Sequence, residues 1–217
     1  MSPSLLPDDH PAAPTAVGEL VDRLRQLAAR GRAVVGIAGA PGAGKSTLSG
    51  RLVDALGPDA VVVPMDGFHL HDDELARLGR SDRKGAPDTF DVAGYVALLR
   101  RLRAEADGTV YAPEFVRARE ESVAGAIAVR PEHRVVLTEG NYLLLDVPGW
   151  DGVRPLLDEV WYVESQERLR LDRLVRRHAD NGRPPEVARR WATVSDQANA
   201  EVVARTRCAA DLVVTND

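Results

Sequence analysis

"GIAGAPGAGKSTLSG", residues 36–50, stands between a short β-branched run and a segment of helical periodicity. Gly39, Gly44, Lys45 and Ser46 fit the spacing G-x-x-x-x-G-K-[ST]. That spacing has a physical reason. Glycines let consecutive backbone N–H groups turn inward around a phosphate, the lysine reaches the outer phosphates, and the hydroxyl ligates Mg²⁺. The following helix contributes the partial positive charge of its N-terminus. Gly39, Ala40, Pro41, Gly42, Ala43, Gly44, Lys45, Ser46 and Thr47 are therefore the expected cradle of a phosphate chain. A strand before and a helix after separate this loop from a chance glycine turn.

Outward from the loop, the pattern alternates. "RAVVGIAG" (32–39), "AVVVPM" (60–65), "RVVLTEG" (134–140), "EVWYVES" (159–165) and "ADLVVTN" (210–216) are short apolar runs that read as buried strands. Helical spacing predicts helices over 17–28, 45–57, 91–106, 166–179 and 184–206, with Asp91 as an N-cap and Gly57 closing the second. Strands alternating with helices predict an α/β fold, a three-layer P-loop NTPase architecture with a parallel sheet flanked by helices. Residues 111–129 break the alternation and read as an insertion carrying a small hairpin.

The chain has 217 residues and a formal net charge of −5. One domain over residues 16–217 accounts for that length, after a Pro- and Ala-containing lead-in over 1–15 that reads as disordered. The acidic balance argues against a nucleic-acid partner. A single cysteine, Cys208, leaves no internal disulfide, and no run has the length to cross a bilayer. The start has no basic region and no sustained apolar region, so the expected location is cytoplasmic.

Ligands in open α/β sheets sit beyond the carboxyl ends of strands. Asp66, after "VVVPM", and Glu139, after "RVVLT", fall at two such ends. Phosphoryl transfer to an alcohol needs a carboxylate to take or orient the hydroxyl proton, and Asp66 is the first choice. Glu139 is placed to hold Mg²⁺ with Ser46 or to polarise the nucleophile. The plain alternatives are an Asp-Gly turn at Asp66 and a cap at Glu139. His69 and His71 with Asp72 and Asp73 read as a helix start rather than a metal cluster, with His69 in reach of substrate. Arg170, Arg173 and Arg177 are expected on one helix face, opposite an apolar stripe of Leu171, Leu174, Val175 and His178. Beside a phosphate site such a face suggests a lid.

"GAPGAGKST", "PMDGFHL", "RKGAPDTFD", "VYAPEF" and "TEGNYLLL" occur in the same order as motifs of the phosphoribulokinase, uridine kinase and bacterial-type pantothenate kinase group. The chain resembles its branch of bacterial nucleoside- or sugar-kinase-like proteins from about Val17 to Val214. The resemblance implies ATP as donor with Mg²⁺, and a small-molecule hydroxyl as acceptor. It implies Lys45 on the phosphates, Ser46 on Mg²⁺, Asp66 as base and Glu139 near metal and substrate. It also implies Arg83 and Lys84 in the acceptor pocket, with Tyr142 nearby, and Arg173 and Arg177 as lid arginines on phosphate. A homodimer is an option that the resemblance leaves open. Where uridine kinases typically place a polar pair and a histidine after the proline of "VYAPEF", this chain has Phe115, Val116 and Arg117. Arg117 and Arg119 there would favour an acceptor with a negative group. A GTPase switch needs an Asn-Lys-x-Asp stretch, which is absent, and "LSGRL" (48–52) is out of place for a transporter ATPase.

Overall fold

The computed structural model describes residues 16–105 and 107–215, so the lead-in over 1–15 lies outside the described residues. In chain order the main elements are α1 (Val17–Ala28), β1 (Ala33–Ala38), α2 (Lys45–Leu56), β2 (Ala60–Val62) and α3 (Asp72–Arg77). They continue with α4 (Val92–Ala104), β3 (Val110–Val116), β4 (Glu121–Val129), β5 (Val135–Gly140) and β6 (Glu159–Glu164). The chain closes with α5 (Glu167–Asp180), α6 (Pro185–Arg190), α7 (Asp196–Ala204) and β7 (Leu212–Thr215).

Five strands form one parallel sheet in the order β2-β5-β1-β6-β7. Strand side chains alternate between its faces, and both faces are apolar. Val35, Ile37, Leu137 and Trp161 pack with Leu20 and Leu24 of α1 and Leu48 and Leu52 of α2. Val34, Val136, Val160 and Tyr162 pack on the other face with Tyr95, Leu98, Leu99 and Leu102 of α4. This is why the strands read as continuous apolar runs rather than alternating ones. The layered α/β architecture is the expected one. Among the described residues no helix is long and apolar enough to cross a membrane.

The caps follow the residue chemistry. Asp91 accepts from Gly94 N at 2.9 Å at the start of α4, and Gly57 ends α2 with φ +67°. His71 caps α3 by accepting from Asp73 N, which makes the His-Asp stretch a helix start. The insertion is the antiparallel pair β3-β4, its register shifted between Ala112 and Glu114 around Pro113. Pro lacks a ladder N–H, so the pairing must slip there.

Two expectations change in detail. The strand expected over 60–65 stops at Val62, and Met65–Phe68 form a 3-10 turn that holds Asp66. Pro64 has no N–H to continue a ladder. The helix expected over 184–206 is α6 and α7 joined by a π-helical turn, Trp191–Ser195.

Candidate active site

The carboxyl ends of β1, β2 and β5 open into a cavity of about 800 Å³. Its floor is the phosphate loop. Lys45 Nζ donates to the carbonyls of Gly39 and Ala40, at 2.9 and 3.1 Å, and to Asn141 Oδ1 at 2.7 Å. Burial pushes the Lys45 ammonium down to about 8, with Glu139 and Asp66 opposing. Asn141, two residues beyond Glu139 and directly after β5, was not singled out from the sequence. Its place just past a strand end that carries a carboxylate was the available signal.

Ser46 Oγ donates to Glu139 Oε1 at 2.8 Å, while Glu139 Oε2 is buried without a hydrogen-bond partner. Burial raises the Glu139 carboxyl above its usual range, against the pull of Lys45 and Ser46. An orphaned buried carboxylate oxygen beside a hydroxyl is an all-oxygen donor pair, which suits a hard cation such as Mg²⁺. Among the described residues no group of three or more His, Cys, Asp or Glu is arranged for a metal. Mg²⁺ held by one or two side chains, with phosphate and water completing the shell, does not require one.

The acceptor wall is assembled from separate segments. Asp66 Oδ2 accepts from Arg117 Nη2 at 3.2 Å, which joins the turn after β2 to the tip of the hairpin. Gly67 lies so close to Pro113 that a Cβ would fall on its carbonyl oxygen, so only glycine lets the hairpin approach here. The His69 ring packs at a tilt against Phe90 and Phe115, with centroids 4.1 and 4.8 Å away. His69 Nδ1 donates to Asp66 O at 2.7 Å, which fixes the tautomer. Burial holds the His69 pKa below 6.5. Lys84 donates to Asp72 at 2.7 Å and to the Glu120 carbonyl at 3.1 Å, and stitches α3 to the hairpin turn. Glu120 has φ +53°, a left-handed conformation costly for a side-chain-bearing residue, and this stitch supports it.

Several expected positions stand elsewhere. Arg83 does not line the cavity, because Asp88 engages its guanidinium at 2.9 Å. Tyr142 is 1% exposed and donates to Gly85 O at 2.6 Å, so it supports the loop over 83–91 instead of facing substrate. The two faces expected of α5 are not separate. Arg170 is buried in line with Leu174 and His178, because Pro41 O and Gln197 satisfy its guanidinium. Arg173 is exposed, outside the cavity lining, and reaches Ala43 O at 3.5 Å. These contacts lay the start of α5 across the loop. Gly42, φ +79°, has no room for a Cβ against Arg170 O. Arg177 alone of the three arginines lines the cavity, and among the described residues its guanidinium makes no hydrogen bond or ion pair.

A profile of the phosphoribulokinase/uridine kinase family matches residues 34–216. A candidate uridine kinase of Schizosaccharomyces pombe is 36% identical over 160 residues, 70% of this chain and 68% of that protein. An ATP-dependent kinase-like protein of Aspergillus versicolor is 35% identical over 152 residues, covering 66% of this chain and 88% of its own. The crystal structure of a candidate fructose transport system kinase from Silicibacter sp. TM1040 superposes with a TM-score of 0.83 at 41% identity, covering 92% of this chain and 98% of that one. The yeast P-loop protein YFH7 shares the fold, with a TM-score of 0.78 at 19% identity over 94% of this chain and 100% of its own. The strand-end carboxylates, the loop and the relatives agree: the chain is a P-loop kinase and belongs to the phosphoribulokinase/uridine kinase family.

Proposed function

We propose that the protein transfers the γ-phosphoryl group of ATP to a hydroxyl of a small molecule of the nucleoside, sugar or pantothenate-like kind. The observation behind this reading is that Asp66 shares one cavity with Lys45, Ser46 and Glu139. A carboxylate on the far side of a phosphate loop has work in phosphoryl transfer to an alcohol and none in plain nucleotide binding. A cytoplasmic setting and a free acceptor belong to the same proposal.

The triphosphate lies in the loop over 39–47, with its charge met by backbone N–H groups and Lys45. Ser46 and Glu139 would hold Mg²⁺, which when bound neutralises charge on the outer phosphates. Asp66 orients the acceptor hydroxyl and takes its proton. Arg177, a cation with no protein anion on it, faces the phosphoryl group in flight. Fixed donors of this kind are worth roughly 3–4 kcal/mol each in the transition state. The aromatic shelf of His69, Phe90 and Phe115 gives the acceptor an apolar surface and shuts out water.

The Arg117–Asp66 pair bears on acceptor class. Its side chains are 46% and 34% exposed. Such a pair is worth at most about 1 kcal/mol, so an anionic group on the acceptor can take Arg117 away at little cost. That exchange would free Asp66 as the substrate arrives. The test is a panel of neutral and anionic hydroxyl acceptors with Mg·ATP, scored for ADP release above the no-acceptor rate and for phosphorylated product by mass. Acceptor-stimulated ADP release is expected. High basal hydrolysis with no stimulation by any acceptor would replace the kinase reading with an ATPase.

A further inference from the structure

Beyond Arg177, the cavity is lined by Arg183, His178, Trp191 and Asp196. Arg183 Nη1 lies 2.6 Å from His178 Nδ1, and His178 Nε2 lies 2.7 Å from Asp196 Oδ2. A guanidinium has only donors, so Nδ1 must carry a lone pair and accept. The ring proton is then on Nε2 and donates to the carboxylate. The two neighbours thus fix both the tautomer and the orientation of a buried ring. On its other side Arg183 stacks over Trp191, with its guanidinium carbon 4.6 Å from the ring centroid.

The backbone is built for this. The Asp196 N–H bonds to Trp191 O, five residues back, within the π-helical turn. In a regular α-helix, positions five apart point to different sides. The wider turn lets Trp191 and Asp196 both face His178 and Arg183. π-turns of one helical wind often sit at functional sites.

The cost of the arrangement asks for a ligand. Burial and the charges of Arg117 and Arg183 work against Arg177, with Asp196 and Asp66 opposing. The Arg183 guanidinium makes no hydrogen bond among the described residues other than the one to His178 Nδ1, so its remaining N–H groups are unused. Arg177 and Arg183 are two cations on one wall, gathered in the cavity that also exposes Lys45. A polyanion relieves that repulsion.

We propose that Asp196 and His178 are positioning residues that aim Arg183 at phosphate oxygens of the bound nucleotide, the carboxylate orienting the imidazole and the imidazole orienting the guanidinium. This rests on the nucleotide-binding reading of the loop and adds to it a second anchor, 138 residues along the chain from Lys45.

The test measures Mg·ATP affinity calorimetrically on the full chain, with melting temperatures recorded for every variant. Arg183→Ala and His178→Gln are each expected to weaken binding about tenfold, the scale of one charge-assisted hydrogen bond. His178→Asn places an amide oxygen where Nδ1 was, and is expected to stay within about threefold of wild type. The double variant His178→Gln/Arg183→Ala should bind no more weakly than Arg183→Ala alone, because the histidine acts only through the arginine. Losses that multiply, or His178→Asn as weak as His178→Gln, mean a structural role and overturn the proposal. Should His178→Gln fail to fold, Asp196→Asn takes its place, with a loss of about threefold expected and wild-type affinity counting against the relay. Lys45→Ala separates the two levels. If it loses Mg·ATP binding and Arg183→Ala does not, the relay fails while the donor site stands. If Lys45→Ala binds like wild type, the donor site fails and the relay with it.

Discussion

The two walls of the cavity are built in opposite ways. The donor wall is nearly continuous in sequence, with residues 39–47 in one loop and Glu139 and Asn141 added from the end of β5. Its polar atoms are locked by short bonds to backbone, such as Lys45 on Gly39 and Ala40. The acceptor wall takes Asp66, His69, Lys84, Phe115 and Arg117 from a 3-10 turn, a loop and a hairpin. Its charges are matched among themselves, Arg117 with Asp66 and Lys84 with Asp72. On the proposed function the donor wall is a fixed receptor for the triphosphate. The acceptor wall is held by exchangeable ion pairs, and on the proposed function it is where the choice of acceptor would be made.

The sharpest way to break this comparison is Lys45→Ala. Mg·ATP affinity should fall by about a hundredfold, with melting temperature little changed, since a charge-assisted hydrogen bond to phosphate is worth about 1.5–3 kcal/mol. Retained affinity would contradict a donor site built around Lys45. Gly67→Ala attacks the acceptor wall instead. The new Cβ must displace the Pro113 carbonyl, and a loss of about 2 kcal/mol of stability, read from denaturant unfolding, is expected, in the range for overpacking. Unchanged stability would mean that the hairpin rides freely on the turn.

The same contrast explains what was legible. The loop could be read because its function needs a fixed local spacing. Asp66 and Glu139 could be read because the alternation of strands predicted where strand ends lie. Arg83 and Tyr142 were misplaced because a motif gives order along the chain and not direction. One turns to Asp88 and the other to Gly85 O, and neither partner follows from spacing. The α5 faces were misassigned because a buried arginine reads as a surface charge until Pro41 O and Gln197 are known to satisfy it. The partnership of His178 with Asp196 was hidden for another reason. It depends on a π-turn, and a pattern of helical period does not reveal one extra residue per turn.

Smaller effects refine the acceptor side. Arg117→Ala should raise the KM for an anionic acceptor about tenfold and leave Mg·ATP affinity alone, the scale of one charge-assisted contact. An equal effect on a neutral acceptor would show that Arg117 serves only to hold Asp66. The smallest effect concerns His69. Its pKa lies below 6.5 in the folded protein, so the unfolded chain takes up a proton first as pH falls. Its contribution is full above pH 6.5 and is lost as pH falls from there toward the folded value. His69→Gln should flatten the acid side of the stability profile over that window, seen in denaturant midpoints between neutral and mildly acidic pH. An unaltered profile would assign that acid sensitivity to other groups.

The division of labour between the walls is tested most directly by Asp66→Asn, assayed with the best acceptor of the panel. Turnover should fall at least about a hundredfold, while Mg·ATP affinity stays within about twofold of wild type, as removal of a general base predicts. Undiminished turnover, or a loss of nucleotide affinity equal to the loss of turnover, would contradict it.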